Sequence, residues 1–164
     1  MAEDNRSIAD NIESVLIKTS IIDTPTEPQF SLFKDKQLIK LERIKLFDGV
    51  KSVHAINYLP PSRFPSLELI VKNNLPLYKI LTNLYQVKFT LCEEVLSVAM
   101  ITPNIAKLLD VSEATCVINL VRKTYERDML IDVSEAAILS SAFKWEYTLT
   151  NSDQQGGIMK GHTL

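Results

Sequence analysis

Leu38–Pro60 reads LIKLERIKLFDGVKSVHAINYLP, and the folding of this stretch decides the architecture. Two alternating runs flank Asp48-Gly49, a dipeptide that readily takes the positive φ values of a tight turn, so the segment predicts a β-hairpin. Strand side chains alternate between faces, which puts Ile39, Leu41, Arg43, Lys45 and Phe47 on one side. Leu38, Lys40, Glu42, Ile44 and Leu46 take the other, so neither side is purely solvent-like. A buried Arg43 without a partner is costly, so its face needs an anion, water or a ligand nearby. The alternative is that Arg43 and Lys45 lie at a sheet edge and reach water along their stems.

Working outward, the chain has 164 residues, enough for one ordinary domain with a sizeable core. Its 46% hydrophobic and 23% charged content fit a globular chain rather than a disordered one. A net charge of −2 gives no bulk attraction to nucleic acid or anionic lipid, and there is no local basic stripe. With four glycines, two of them Gly156-Gly157, no phosphate-binding glycine loop or dinucleotide fingerprint can be built. Cys92 and Cys116 lie in apolar strand-like runs and are expected as reduced core residues. Two cysteines and two distant histidines make a poor zinc site, and neither metal nor cofactor is expected. No apolar run nears the roughly 20 residues that span a bilayer, and the acidic start is no signal peptide. A cytoplasmic protein is expected.

Residues 1–12 read as a flexible polar segment with a possible helical start at Ser7. Ser14–Ile22 reads as a strand, and Thr24-Pro25 as the cap and first position of a short helix to about Lys34. Pro60-Pro61 and Pro65 make a loop. A helix follows from Asn74 and Pro76, with Leu77, Ile80, Leu81 and Leu84 at helical spacing and Tyr78 beside them. Gln86–Met100 reads as a long strand and Thr102–Asp110 as a short helix. Thr115–Glu126 and Leu130–Leu139 form a second hairpin, Ala142–Leu149 a last strand, and 151–164 a polar tail. Hairpins interrupted by short helices imply an α+β domain, an antiparallel β-sheet with short helices packed on it, over residues 13–150.

The hairpin also carries a family likeness. LERIKLFDGVKSVHAINYLP resembles the signature of the UTRA domain, the effector-binding domain of GntR-type transcriptional regulators of the HutC subfamily. Arg43, Lys45, Asp48-Gly49 and Tyr58-Leu59-Pro60 fall on its Arg-x-Arg, Asp-Gly and Tyr-Leu-Pro positions. PLYKILTNLYQVKF, EEVLSVAMITPNIAKLLDV and INLVRKTYERDMLIDVSEAAILSSAFKWEYTL keep step with the rest, over about residues 12–150. The resemblance implies a chorismate lyase-like fold, a small-molecule effector and a homodimer. It further implies operator binding only through a winged-helix domain on the N-terminal side, which these residues do not contain.

It also implies site residues. Arg43 and Lys45 map to the phosphate-reading pair, with Lys45 lacking the planar fork of arginine. The acid expected on the returning strand is Ala55 here, a departure. A two-residue turn sets His54 opposite Arg43 and a three-residue turn sets Ala55 there, so His54 either meets a ligand or lies at a solvated surface. Tyr78 sits on the family's Leu-Tyr pair. Asp132 falls on a second acidic position with Ser134 on its face, either as ligand contacts or as a strand-end pair. A Tyr-Arg-Gly-Asp-like segment is replaced by Ile138-Leu139-Ser140-Ser141. Glu93 and Glu94 point to opposite faces and form no carboxylate dyad.

The reading is therefore a non-catalytic sensor of a small anion, such as a phosphorylated sugar or organic acid. A chorismate-lyase-like enzyme acting on a small carboxylate is the alternative from fold analogy, although no catalytic triad or metal cluster stands out. A dimerisation module with a degenerate pocket is the third.

Overall fold

The computed structural model describes residues 12–144. Six strands form one antiparallel sheet: β1 (Ile12–Asp23), β2 (Gln37–Phe47), β3 (Val50–Leu59), β4 (Leu91–Met100), β5 (Cys116–Glu126) and β6 (Met129–Leu139). Their order is β1-β2-β3-β6-β5-β4, so the two hairpins meet at β3 and β6 in the middle. This is the α+β, antiparallel architecture that the hairpin pattern implies.

The central hairpin turns on Asp48 and Gly49, with φ of 49° and 78°. Both central residues are left-handed, the geometry whose twist matches two paired strands. Phe47 therefore faces Val50, as in a two-residue turn. A bulge then inserts Ser52, so Lys45 faces Val53 and Arg43 faces Ala55. The turn is the short one, yet the register is that of the longer one, because the extra residue lies in the strand. A second irregularity, between Thr124 and Tyr125, leaves Ile131 as the extra residue of β6 and sets Asp132 against Thr124.

Helices cover both faces. α1 (Leu67–Ile70) and α2 (Leu77–Tyr85) pack Leu67, Leu77 and Leu81 onto Ile39, Leu41 and Leu59 on one face. Each fully buried leucine contributes about 1.5–3 kcal/mol. α3 (Pro103–Leu109) presses Ala106 and Leu109 onto Ile44, Val117, Ala137 and Leu139 on the other face. Pro103 opens α3 without costing a bond, since its missing N–H would have been unpaired there.

Several expectations are corrected. Residues 25–34 form only a 3-10 turn, Pro28–Phe30. Thr24 closes the segment as a loop instead: its N–H donates to Lys36 O at 2.9 Å and its hydroxyl to Asp35 O at 2.7 Å. The strand expected from Gln86 starts at Leu91, since Gln86 ends α2 with φ of 52°. Leu84 faces solvent. Cys92 and Cys116 are free but exposed rather than core, because β4 is an edge strand and Cys116 pairs with its last residue. Ser140–Ala142 is a 3-10 turn and residues 143–144 are not in a strand, so the strand expected from Ala142 does not begin there; its residues 145–149, the helical start at Ser7 and the tail 151–164 lie outside the described residues. β2 is an inner strand, so Arg43 and Lys45 are not at an edge.

Candidate functional site

On the face that carries α2, cross-strand pairing sets Arg43, Asn57, Ser134, Asp132, Arg122 and Glu94 side by side. Arg43 and Asp132 are 6% and 0% exposed, so this is a charged cluster inside the protein. Isolated charges there would cost several kcal/mol, and the hydrogen bonds indicate how far that cost is offset.

Asp132 is encased by donors. Tyr78 OH donates to Oδ2 at 2.8 Å, Ser134 Oγ to Oδ2 at 2.6 Å, and Asn57 Nδ2 to both oxygens at 3.1 Å. Burial pushes the carboxyl pKa up, while the bonds from Ser134, Asn57 and Tyr78 and the charge of Arg43 pull against it. Asn57 is the hub. Its Oδ1 accepts from Arg43 Nη2 at 2.6 Å, and its amide also donates to Ser134 Oγ at 2.7 Å. Tyr78 is pushed up to about 12, first by burial and then by the nearby Asp132.

The cations are less well served. Burial lowers the Arg43 pKa, with Asp132 and Tyr78 opposing, and its Nε is buried with no hydrogen-bond partner. Thr124 Oγ1, on the residue facing Asp132, is a second buried orphan. Lys45 is partly buried, and among the described residues its ammonium has no hydrogen bond or ion pair. Burial first, then Arg43 and Arg122, lower it to about 8. Burial also works against charged Arg122, but Tyr78 and Glu94 outweigh it and hold its pKa above the usual arginine value. Its Nε donates to Glu94 Oε1 at 2.6 Å. Three cations thus share one face with two carboxylates, one of them sealed behind neutral donors.

The structure brings Arg43, Lys45, Tyr78, Asp132 and Ser134 together and sends His54 elsewhere. The Ser52 bulge turns His54 to the opposite face, where its Nε2 lies 2.7 Å from Glu42 Oε1. Asp132 is mid-strand rather than strand-end, reached by Tyr78 from above the sheet. Asn57 and Arg122 are additions. Asn57 was legible as an inward residue two positions from Ala55, whereas Arg122 needs the β5–β6 register. Glu93 meets Tyr125 OH at 3.1 Å, apart from Glu94, so the two acids do serve opposite faces.

Two cavities lie away from this cluster. One, of about 590 Å³, flanks the β5–β6 turn with Phe33, Lys34, Glu126 and Arg127, but Glu126 is already held by Arg63 at 2.8 Å. The other, of about 650 Å³, lies between β1 and α3 and is mostly apolar, with Val15, Ile44, Leu46 and Leu108. Neither has a buried polar atom left unpaired, so chemistry favours the Arg43 cluster over volume. Among the described residues no group of three or more His, Cys, Asp or Glu could hold a metal ion. No helix there is long and apolar enough to cross a membrane.

Comparison with known proteins places this architecture. The profile of the UTRA domain matches residues 14–144. The effector domain of PhnF from Mycobacterium smegmatis superposes with a TM-score of 0.74 at 22% identity, over 80% of this chain and 82% of that one. Against whole PhnF the score is 0.74 at 21% identity, over 81% of this chain but 60% of the other. The C-terminal domain of the histidine utilization repressor from Pseudomonas syringae pv. tomato gives 0.77 at 11% identity, over 86% and 100%. At such identities the likeness carries the fold alone. No curated protein matches the chain.

Proposed function

The chain belongs to the UTRA domain family, and on that premise we propose that it is the effector-sensing, dimeric domain of a GntR-type regulator of the HutC kind. In this reading it acts in the cytoplasm and binds a small anion, such as a phosphorylated sugar or organic acid. Effector binding then controls operator binding by a winged-helix domain on the N-terminal side. The observation that carries the reading is the positive charge left unpaired among the described residues: a buried Arg43 Nε without an acceptor beside a Lys45 ammonium without a counter-ion. A phosphate or carboxylate supplies charge-assisted acceptors to both, and Arg122 lies within the same field.

A sensor fits better than an enzyme. Asp132 accepts from Tyr78, Ser134 and Asn57, so its oxygens are occupied rather than poised to take a proton from a substrate. His54 points the other way. The family position held by Ala55 leaves no second carboxylate opposite Arg43.

Thermal unfolding against phosphorylated sugars, sugar acids and plain phosphate tests this. A ligand that binds only the native state stabilises by RT ln(1 + [L]/Kd), about 2.7 kcal/mol at a hundredfold excess over Kd. We expect a melting shift that disappears in Arg43→Ala, with the ligand recovered unchanged. A shift that survives Arg43→Ala, or a ligand recovered as product, would overturn the proposal.

A further inference from the structure

Cross-strand pairing sorts the α2 face of the sheet into rows, and their polarity changes at Arg43. One row runs Asn57, Ser134, Arg122 and Glu94 and is polar throughout. Its acceptors are committed. Asn57 Oδ1 accepts from Arg43, Glu94 accepts from Arg122, and Asp132 in the row behind accepts from Tyr78, Ser134 and Asn57. The orphan hydroxyl of Thr124 faces Asp132, on the far side of that row. The next row sets Arg43 against Ala55 and Ala55 against Ala136, and the one after it sets Lys45 against Val53 and Val53 against Ile138. In those two rows across β2, β3 and β6, the two cations are the only polar side chains. Val53, Ala55 and Ile138 are buried in one apolar cluster, with Ala136 packed on it. Two cations thus border a floor of small and aliphatic side chains that offers no hydroxyl, amide or carboxylate. The two short alanine side chains keep that floor low beside Arg43.

We propose that the ligand is a monocarboxylic acid with an apolar body, its carboxylate held between Arg43 and Lys45 and its hydrocarbon laid across Ala55 and Ala136. The inference rests on the anion-sensor reading and narrows its ligand class. The unmet groups on the two cations are donors, which suit a carboxylate. With Asp132 and Glu94 ionised, Arg43, Lys45 and Arg122 leave one positive charge in excess on this face. A single carboxylate balances it, whereas a doubly charged group leaves an extra anion where water is scarce. A hydroxylated body on the same floor would bury its hydroxyls without partners, because the neighbouring acceptors are already taken. A hydrocarbon body has no such cost and gains from leaving water. Ala55 and Ala136 lie about one and two strand spacings of about 4.8 Å from Arg43, within the length of a medium-chain acid.

Calorimetric titration of the full chain with acetate, butyrate, hexanoate and gluconate is the test, with phosphate alongside. Hexanoate and gluconate have the same carbon chain and the same single carboxylate, and differ in the hydroxyls. We expect affinity to rise about threefold per CH2 from acetate to hexanoate. Hexanoate should bind at least about tenfold more tightly than gluconate, and Arg43→Ala should lower its affinity at least about tenfold. Ala136→Leu fills the floor and should flatten the series from acetate to hexanoate. Should that variant fail to fold, the wild-type series and the gluconate comparison decide. A flat wild-type series, or a folded Ala136→Leu with the series intact, would overturn the proposal. Gluconate bound as tightly as hexanoate, and lost in Arg43→Ala, overturns the apolar body and leaves the anion sensor. Hexanoate binding that survives Arg43→Ala puts the acid elsewhere, such as the apolar cavity between β1 and α3, and also overturns the proposal. No binding by any of these acids or by phosphate overturns the sensor reading with it.

Discussion

The two faces of the central hairpin hold similar residues in opposite states. Behind it, His54 and Glu42 meet at 2.7 Å, and Glu135 accepts from Gln29 at 3.0 Å. Every polar side chain named on that face has a partner. In front, Arg43 and Asp132 are buried to a similar degree, yet among the described residues Arg43 Nε and Thr124 Oγ1 have no partner and Lys45 has no counter-ion. A fold stabilised only by its own contacts has no reason to leave one face incomplete, because each unmet buried donor costs about 1–3 kcal/mol. Under the proposed function, the difference separates a face that is finished by folding from one that is finished by something bound.

Removing an acid from each face gives the largest expected contrast. Asp132→Ala leaves Arg43 buried without a counter-charge, and unfolding in urea should show a loss of about 3–5 kcal/mol. Glu42→Ala breaks one hydrogen bond at a more open position and should cost about 1 kcal/mol. Equal losses would erase the distinction between the faces.

Removing a cation should act with the opposite sign on stability and on binding. Lys45→Met deletes an ammonium whose burial is uncompensated, so the free protein should be as stable as wild type or more so. Its affinity for phosphate, read by calorimetry, should fall about ten- to a hundredfold, the worth of a charged hydrogen bond of about 1.5–3 kcal/mol. A large stability loss with unchanged affinity would mean that Lys45 is structural.

The lowered Lys45 pKa makes the same point through pH. Its folded value, about 8, lies below the ordinary 10.5, so between those two values the unfolded chain binds more protons. Stability of the free protein should therefore rise with pH across that window, and this gain is lost as pH falls through about 8. Anion binding needs the charged form, so affinity for sulfate, whose charge is constant there, should drop above about pH 8 by at most tenfold per pH unit. Both trends should flatten in Lys45→Met.

The smallest effect is expected from Tyr78→Phe. It removes one of the donors to Asp132 and should cost about 1 kcal/mol in urea unfolding. Phosphate binding should change less than in Lys45→Met, since the Tyr78 hydroxyl donates to Asp132 and its loss leaves Arg43 and Lys45 in place.

How much of this was legible follows from distance along the chain. The hairpin, its turn at Asp48-Gly49 and the shared side of Arg43 and Lys45 are local matters of alternation and φ, and the sequence states them. So is the common face of Asp132 and Ser134. The position of His54 was not legible, because it depends on one inserted residue, Ser52, which no turn signal marks. Arg122 reaches the site only through the register of β5 on β6, with its own irregularity at Thr124/Tyr125. Cys92 and Cys116 read as core because an exposed edge strand and a buried one share the same apolar composition. Only the order of strands in the sheet distinguishes them.

The central claim is that the face of Arg43, not that of His54, is completed by an anion. Titrating inorganic phosphate calorimetrically into wild type, Arg43→Ala and His54→Ala tests it most directly. The account predicts that His54→Ala binds like wild type while Arg43→Ala loses at least about tenfold in affinity. Equal binding by wild type and Arg43→Ala, or a loss confined to His54→Ala, would contradict it.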